Sequence, residues 1–173
     1  MIDLFLRQGA DHRLRGGHLW VYSNEIDSKR SPLGDFSAGD LVAVKNANGK
    51  LLGSAYMDPN SLICARLYAP GEHRAMDADL FVARLETAHS LRQAAFDKPF
   101  YRLVYGDSDV LPGLVVDRFG DYLIVQLNNA GLERYREPLL SVLVAVLHPR
   151  GILLRANSPT GREPGRPAGT AGW

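Results

Sequence analysis

The sequence predicts an α+β protein in two blocks, and three observations predict it. Short alternating apolar runs broken by Gly, Pro, Asn and Asp fill the first seventy or so residues. A stretch of helical period begins at Asp77, and a second centres on Leu139–Leu147. Short strand-like runs lie between and after these helices, which makes the second block a small α+β unit.

In the first block, Ile2–Leu6, Leu41–Val44, Lys50–Tyr56 and Leu62–Leu67 read as strands. Asn48-Gly49 falls where a tight hairpin needs positive φ, so a hairpin is predicted there. Ser31-Pro32-Leu33-Gly34-Asp35 reads as a loop, and Pro70-Gly71-Glu72 closes the block. The predicted units are residues 1–74 and 75–156. In the second, Asp77 is available to cap a helix whose stripe runs Phe81, Leu85, Ala88, Leu91, Ala95 and which ends by Lys98-Pro99. Strands follow around Arg102–Tyr105, Leu114–Asp117 and Tyr122–Leu127. The second helix places Leu139, Leu140, Leu143, Val146 and Leu147 on one side, with Pro138 tolerable only in its first turn. His148-Pro149-Arg150-Gly151 stops it before a last strand, Ile152–Leu154. Residues 157–173 are rich in Gly, Pro and Arg without apolar periodicity, and a disordered tail is expected.

Composition sets limits on function. With 173 residues, 46% hydrophobic and 23% charged, the chain can bury a real core. It has no apolar run of membrane-spanning length and no amino-terminal leader pattern, which predicts a cytoplasmic protein with no membrane partner. A single cysteine, Cys64, permits no internal disulfide, and its place between Ile63 and Ala65 predicts a buried small hydrophobe rather than a nucleophile. His12, His18, His73, His89 and His148 show no metal-ligand spacing, so no metal is predicted. Phosphate-cradling glycine loops and nucleophile elbows are absent, which predicts neither a cofactor site nor a catalytic residue in this chain. Net charge is +1, and residues 1–72 balance eight Lys/Arg against eight Asp/Glu. Any nucleic-acid contact must therefore be local.

One local segment qualifies: Arg13-Leu14-Arg15-Gly16-Gly17-His18-Leu19-Trp20-Val21-Tyr22. Arg13, Arg15 and His18 offer donors to phosphate, Gly17 allows close backbone approach, and Trp20 and Tyr22 offer aromatic faces at the edge. The same residues also read as a polar loop leading into a buried strand, because aromatic side chains are ordinarily core material. Two further segments look chemical but read as structure. Asp58-Pro59-Asn60-Ser61 has the composition of a turn, and Asp107 and Asp109 sit in a Gly-bounded loop where carboxylates cap or face water.

Taken together, Arg13–Ile26, Gly39-Asp40, Gly53–Ile63, Tyr101–Asp109 and Leu111–Gly120 resemble one family, the RlmI-like bacterial methyltransferases of large-subunit (23S) ribosomal RNA. The resemblance runs in order over residues 1 to about 157. It implies an amino-terminal PUA-like small barrel that binds RNA, then a central α+β domain. In the family, a Rossmann-like domain follows that binds S-adenosylmethionine and methylates cytosine at C5. Ribosomal RNA is thus the implied partner.

Two departures shape the expectation. Where the family tends to read Arg-Arg-Gly-His-Pro-Trp, this chain has Arg15-Gly16-Gly17-His18-Leu19-Trp20, one cation and one rigid residue fewer. After Asn157-Ser158-Pro159 the family pattern gives way to the Gly/Pro/Arg-rich stretch, as an out-of-frame reading of GC-rich DNA would. The expectation is therefore a truncated or frameshifted recognition module, inactive in methyl transfer alone. An interaction remnant without RNA affinity is the alternative, associating through the face that the missing domain would cover.

Overall fold

The computed structural model describes residues 1–155, so the expected tail lies outside the described residues. Two sheets carry the architecture. The first orders its strands β1(Ile2–Phe5), β3(Leu41–Lys45), β4(Leu51–Met57), β5(Ile63–Pro70), β2(Trp20–Tyr22). Strand β1 runs parallel to β3, and the remaining pairs are antiparallel. The sheet curls back on itself, because β1 also meets the segment after β2. A Leu6–Ile26 bridge, Arg7 N–H donating to Glu25 O and Asp27 N–H donating to Phe5 O make that closure. Both faces of the edge are thereby paired, which is the usual way a small barrel disposes of free strand edges. Its interior is Leu4, Leu6, Val21, Ile26, Val42, Val44, Met57, Cys64 and Leu67.

The predicted hairpin joins β3 to β4, but only Gly49 adopts positive φ, at 83°. Asn46 O accepts from Gly49 N–H and the Asn46 side chain accepts from the amides of Asn48 and Lys50. The connection is thus a longer turn than a two-residue one, and the Lys45 register shift absorbs the difference.

The second sheet orders β6(Phe100–Tyr105), β7(Leu114–Phe119), β8(Tyr122–Leu127), β9(Gly151–Arg155), the last pair parallel. Helices α2(Ala78–Ala95) and α4(Arg136–Leu147) pack together over one face. Asp77 caps α2 as its sequence suggests, its Oδ1 accepting from Leu80 N–H at 2.9 Å. The buried stripe of α2 ends at Ala88: Leu91 and Ala95, expected inside, are exposed. At that end the Arg92 guanidinium instead bridges to both oxygens of Asp109, at 2.6 and 2.8 Å, so a partly buried ion pair takes the place of apolar contact. Pro138 falls in the first turn of α4, where no helical N–H partner is lost. On the outer face Phe100, Phe119 and Tyr122 stand side by side, about half exposed or more.

The sheets share a core. Tyr56, Tyr68 and Ala69 of the first lie within the cluster built from Phe81, Leu85, Leu103, Val116 and Leu143 of the second. Tyr56 is fully buried, its hydroxyl donating to Pro112 O at 2.7 Å and accepting from Asn129 Nδ2 at 2.9 Å. Burial pushes that phenol far above its ordinary value, so it stays protonated. Asn129 in turn caps the short α3(Ala130–Glu133), accepting from Leu132 N–H. Gly113 makes the arrangement possible: with φ +83°, a Cβ there would overlap the Asn129 amide. Tyr135 Oη–H donating to Gly39 O and Arg134 pairing with Asp40 complete the seam.

Two predictions follow from this packing. Tyr56→Phe leaves the Pro112 carbonyl and the Asn129 amide without their partner, so it should cost about 1–3 kcal/mol in urea unfolding with little change in shape. The second concerns His89, whose Nε2 lies 2.8 Å from Arg118 Nη1. Guanidinium can only donate, so this nitrogen accepts and the ring is neutral. Burial, then the Arg118 charge, hold the imidazole below its ordinary value. The unfolded chain takes up that proton near pH ~6.5 and the folded chain only at lower pH. Its contribution is therefore full above the unfolded value and is lost as pH falls through the folded one. His89→Gln should flatten the acid-side decline in thermal midpoint between pH 7 and 5.

Candidate functional site

The basic segment singled out in the sequence folds as one helical turn, α1(His12–Arg15), a Gly-Gly loop and the edge strand β2. A four-residue turn has little intrinsic stability, and tertiary bonds hold it. Asp11 accepts from Asn46 Nδ2 and Arg15 Nη1. Burial would raise the Asp11 carboxyl, but these contacts outweigh it and keep it below its ordinary value. Gly17 has φ +95° and a Cβ on it would meet nothing within 4 Å, so glycine is needed there for backbone conformation, not for space. The loop's amides point inward: Gly17 N–H donates to Leu14 O and His18 N–H to Arg13 O.

The six residues named from the sequence separate into two groups. Arg15, Gly17 and His18 are exposed side by side along the chain. Arg13, Trp20 and Tyr22 are partly buried and act as frame. Arg13 Nη2 pairs with Glu25 Oε1 at 2.6 Å, and its guanidinium lies 4.5 Å from the Tyr22 ring centroid. Glu25 completes the clamp by accepting from Tyr22 N–H at 2.8 Å. Hydrogen bonding to Glu25 raises Arg13 above its already high ordinary value, so the cation is permanent. The Nε1–H of Trp20 is buried, with the Asp107 carboxylate beside the indole.

Cys64 matches its expected role. It is wholly buried, its Sγ lies 3.5 Å from Val21 O, and burial pushes the thiol up to about 11. Among the described residues no group of three or more His, Cys, Asp and Glu could hold a metal ion, and no helix is long and apolar enough to cross a membrane.

A feature missed by sequence reasoning lies next to this segment. Trp20 sits opposite Arg66 in the β2–β5 ladder, and Arg66 lines a 230 Å³ cleft between the two sheets. Asp58, Asn60 and Ser61, from the connection between β4 and β5, form one wall; Asn128, Asn129 and Ala130, entering α3, form the other. The Asp58 turn did fold as a turn, but nothing in its composition revealed that residues seventy positions later would face it.

The comparisons with known proteins agree with this architecture. A PUA-like domain family matches residues 4–70. Ribosomal RNA large subunit methyltransferase I of Aliivibrio fischeri is 35% identical over 146 residues, covering 83% of this chain and 36% of that protein. The protein of the same name from Erwinia tasmaniensis is 37% identical over 148 residues, covering 82% and 36%. The chain thus spans about a third of the length of the curated relatives it matches. A solved structure from Streptococcus mutans, described as a SAM-dependent methyltransferase, superposes with a TM-score of 0.76 over 90% of this chain and 41% of that one, at 20% identity. That likeness establishes the fold. With the matched residues running through both sheets, the chain is similar to the amino-terminal third of ribosomal RNA large subunit methyltransferase I proteins and carries a PUA-like unit at its amino terminus.

Proposed function

We propose that this chain is an RNA-recognition module that binds ribosomal RNA through the α1–β2 loop. The observation that carries this reading is the sorting of the basic segment. Arg13 is locked onto Glu25 and Tyr22 as scaffold, while Arg15 and His18 stand exposed on either side of a glycine pair. Exposed donors on a held loop can track a phosphate backbone, and the absence of a Cβ at Gly17 lets that backbone come close. Arg13, Trp20 and Tyr22 then position the loop and edge the site. The working division is a PUA-like unit over residues 1–74 and a central unit over 75–156, acting in the cytoplasm, where ribosomal RNA is found.

Methyl transfer, with S-adenosylmethionine as the family's donor, belongs on this reading to sequence that the relatives have and the matched residues do not. The chain by itself is proposed to recognise RNA without modifying it. A second reading, association without RNA affinity, is favoured by the outer face of the second sheet. There Arg102 pairs with Asp117 at 2.8 Å amid Phe100, Phe119 and Tyr122. Opposite charges at the centre of an apolar face suit a two-fold contact with a second copy, in which each Arg102 meets the other Asp117.

A filter-binding titration of the full chain against structured ribosomal RNA fragments, at two salt concentrations, separates the readings. Retention that falls moderately with salt, and a combined Arg15→Ala and His18→Ala variant that weakens it several-fold and lowers the salt slope by about 1, are expected. Unchanged retention in that variant would remove the loop from the contact. No retention together with concentration-dependent dimers in sedimentation would favour the second reading.

A further inference from the structure

The cleft between the sheets has donors and acceptors set close together with few partners of their own. The connection holding Asp58 is rigid: Asp58 N–H donates to Cys64 O at 2.8 Å, and Ser61 N–H donates back to Asp58 O at 3.0 Å. The Asp58 carboxylate lies 3.9 Å from Arg66 Nη1, beyond hydrogen-bonding distance, and among the described residues it accepts no hydrogen bond. Both side chains are nearly buried, at 12% and 13% exposure. Arg66 Nη1 is anchored by donating to Ile63 O at 3.0 Å. A carboxylate and a guanidinium that lie side by side without closing on each other leave a gap in which each can take a third partner.

Size and charge narrow what that partner is. The cleft volume of 230 Å³ gives room for one planar heterocycle. A phosphate is disfavoured. Arg66 is the one cation of the lining, Asp58 offsets it, and Asp107 adds further negative charge near both Arg66 and the Trp20 indole. A neutral ring that gives two parallel N–H groups to a carboxylate and presents an oxygen to the neighbouring guanidinium answers both groups. Guanine has that edge: N1–H and the N2 amine side by side, with O6 next to them. Adenine, cytosine and uracil can each offer the carboxylate only one such donor. The Asn60 and Asn128 side chains at the walls can serve the remaining edge atoms.

We infer that the cleft between Asp58, Arg66 and Asn128 receives a single unstacked guanine base. The inference rests on the RNA-binding reading for its source, an extruded guanine of the RNA held at the neighbouring loop. Strand β2 joins the two places: it leaves the exposed loop at one end and pairs with Arg66 at Trp20. Unstacked bases read on their hydrogen-bonding edge are the usual object of sequence-specific RNA recognition.

The test uses the full chain and three kinds of probe. By NMR or thermal shift, guanosine 5′-monophosphate should bind wild type about tenfold more tightly than inosine 5′-monophosphate, which lacks the N2 amine, and Asp58→Asn should abolish the preference. Equal binding of the two nucleotides, or no binding of either, overturns the inference on wild type alone, whatever the variant's stability. Short single-stranded RNAs carrying one guanosine or one inosine distinguish the source. A preference shown by the RNA and stronger than that of the free nucleotide supports an RNA base. A preference confined to the mononucleotide overturns the RNA source, and retained RNA binding without any guanosine preference overturns the cleft while leaving the loop reading intact.

Discussion

The hydroxyl of Tyr56 is the contact on which the rest of this structure depends. It lies where the barrel-like first sheet meets the second unit, fully enclosed, and it is satisfied from both sides by groups of the second unit, Pro112 O and Asn129 Nδ2. A buried hydroxyl without partners is costly, so the phenol is tolerated only while both partners stay in register. Gly113 is required for the same reason, since any side chain there displaces the Asn129 amide. Because Asn129 also caps α3, that hydroxyl ties the barrel to the start of α3, and the seam contacts of Arg134 and Tyr135 hold the same junction independently.

A second constraint concerns how the chain uses its cations. Net charge is +1, yet many arginines are committed internally: Arg13 to Glu25, Arg92 to Asp109, Arg102 to Asp117, Arg134 to Asp40. Such pairs fix geometry and neutralise field, leaving little long-range attraction for a polyanion. Recognition by this surface has to come from the fit of a few held groups. The exposed Arg15 and His18 on a loop braced by Arg13 are arranged in that way, and a moderate dependence on salt is the physical consequence.

Most elements were legible because their signals are local. Asp77 announced the start of α2 through its cap, Pro138 marked the first turn of α4, and the alternation in Leu41–Val44 and Leu114–Asp117 is carried by neighbours in sequence. The resemblance to the methyltransferase family added the small-barrel expectation, which the closure of β1 onto residues 25–27 bears out. What was hidden depends on distant partners. Leu91 fits a helical stripe perfectly well, but Asp109, seventeen residues beyond Arg92, decides that this end of the helix is held by an ion pair. Likewise Asp58 and Asn128 come to line one cleft because the two units pack together across the Tyr56 seam, and no window of sequence contains that information. The roles of Arg13 and Arg15 looked equivalent in sequence; Glu25 distinguishes them.

The short strand β2 shows why recognition and architecture are hard to separate in such a fold. As an edge strand of three residues it would be marginal alone, and it is kept in place by pairing with β5 and by the Glu25 clamp on Tyr22 N–H. Its outward neighbours form the exposed loop, and its pairing partner Arg66 forms the wall of the cleft between the sheets. A ligand that drew Arg66 toward the cleft would act on the same ladder position as Trp20. The Trp20 indole, the Asp107 carboxylate beside it and the open Asp58–Arg66 pair therefore belong to one polar neighbourhood. The Tyr56 seam joins the two sheets next to that neighbourhood and so fixes the walls of the cleft against each other.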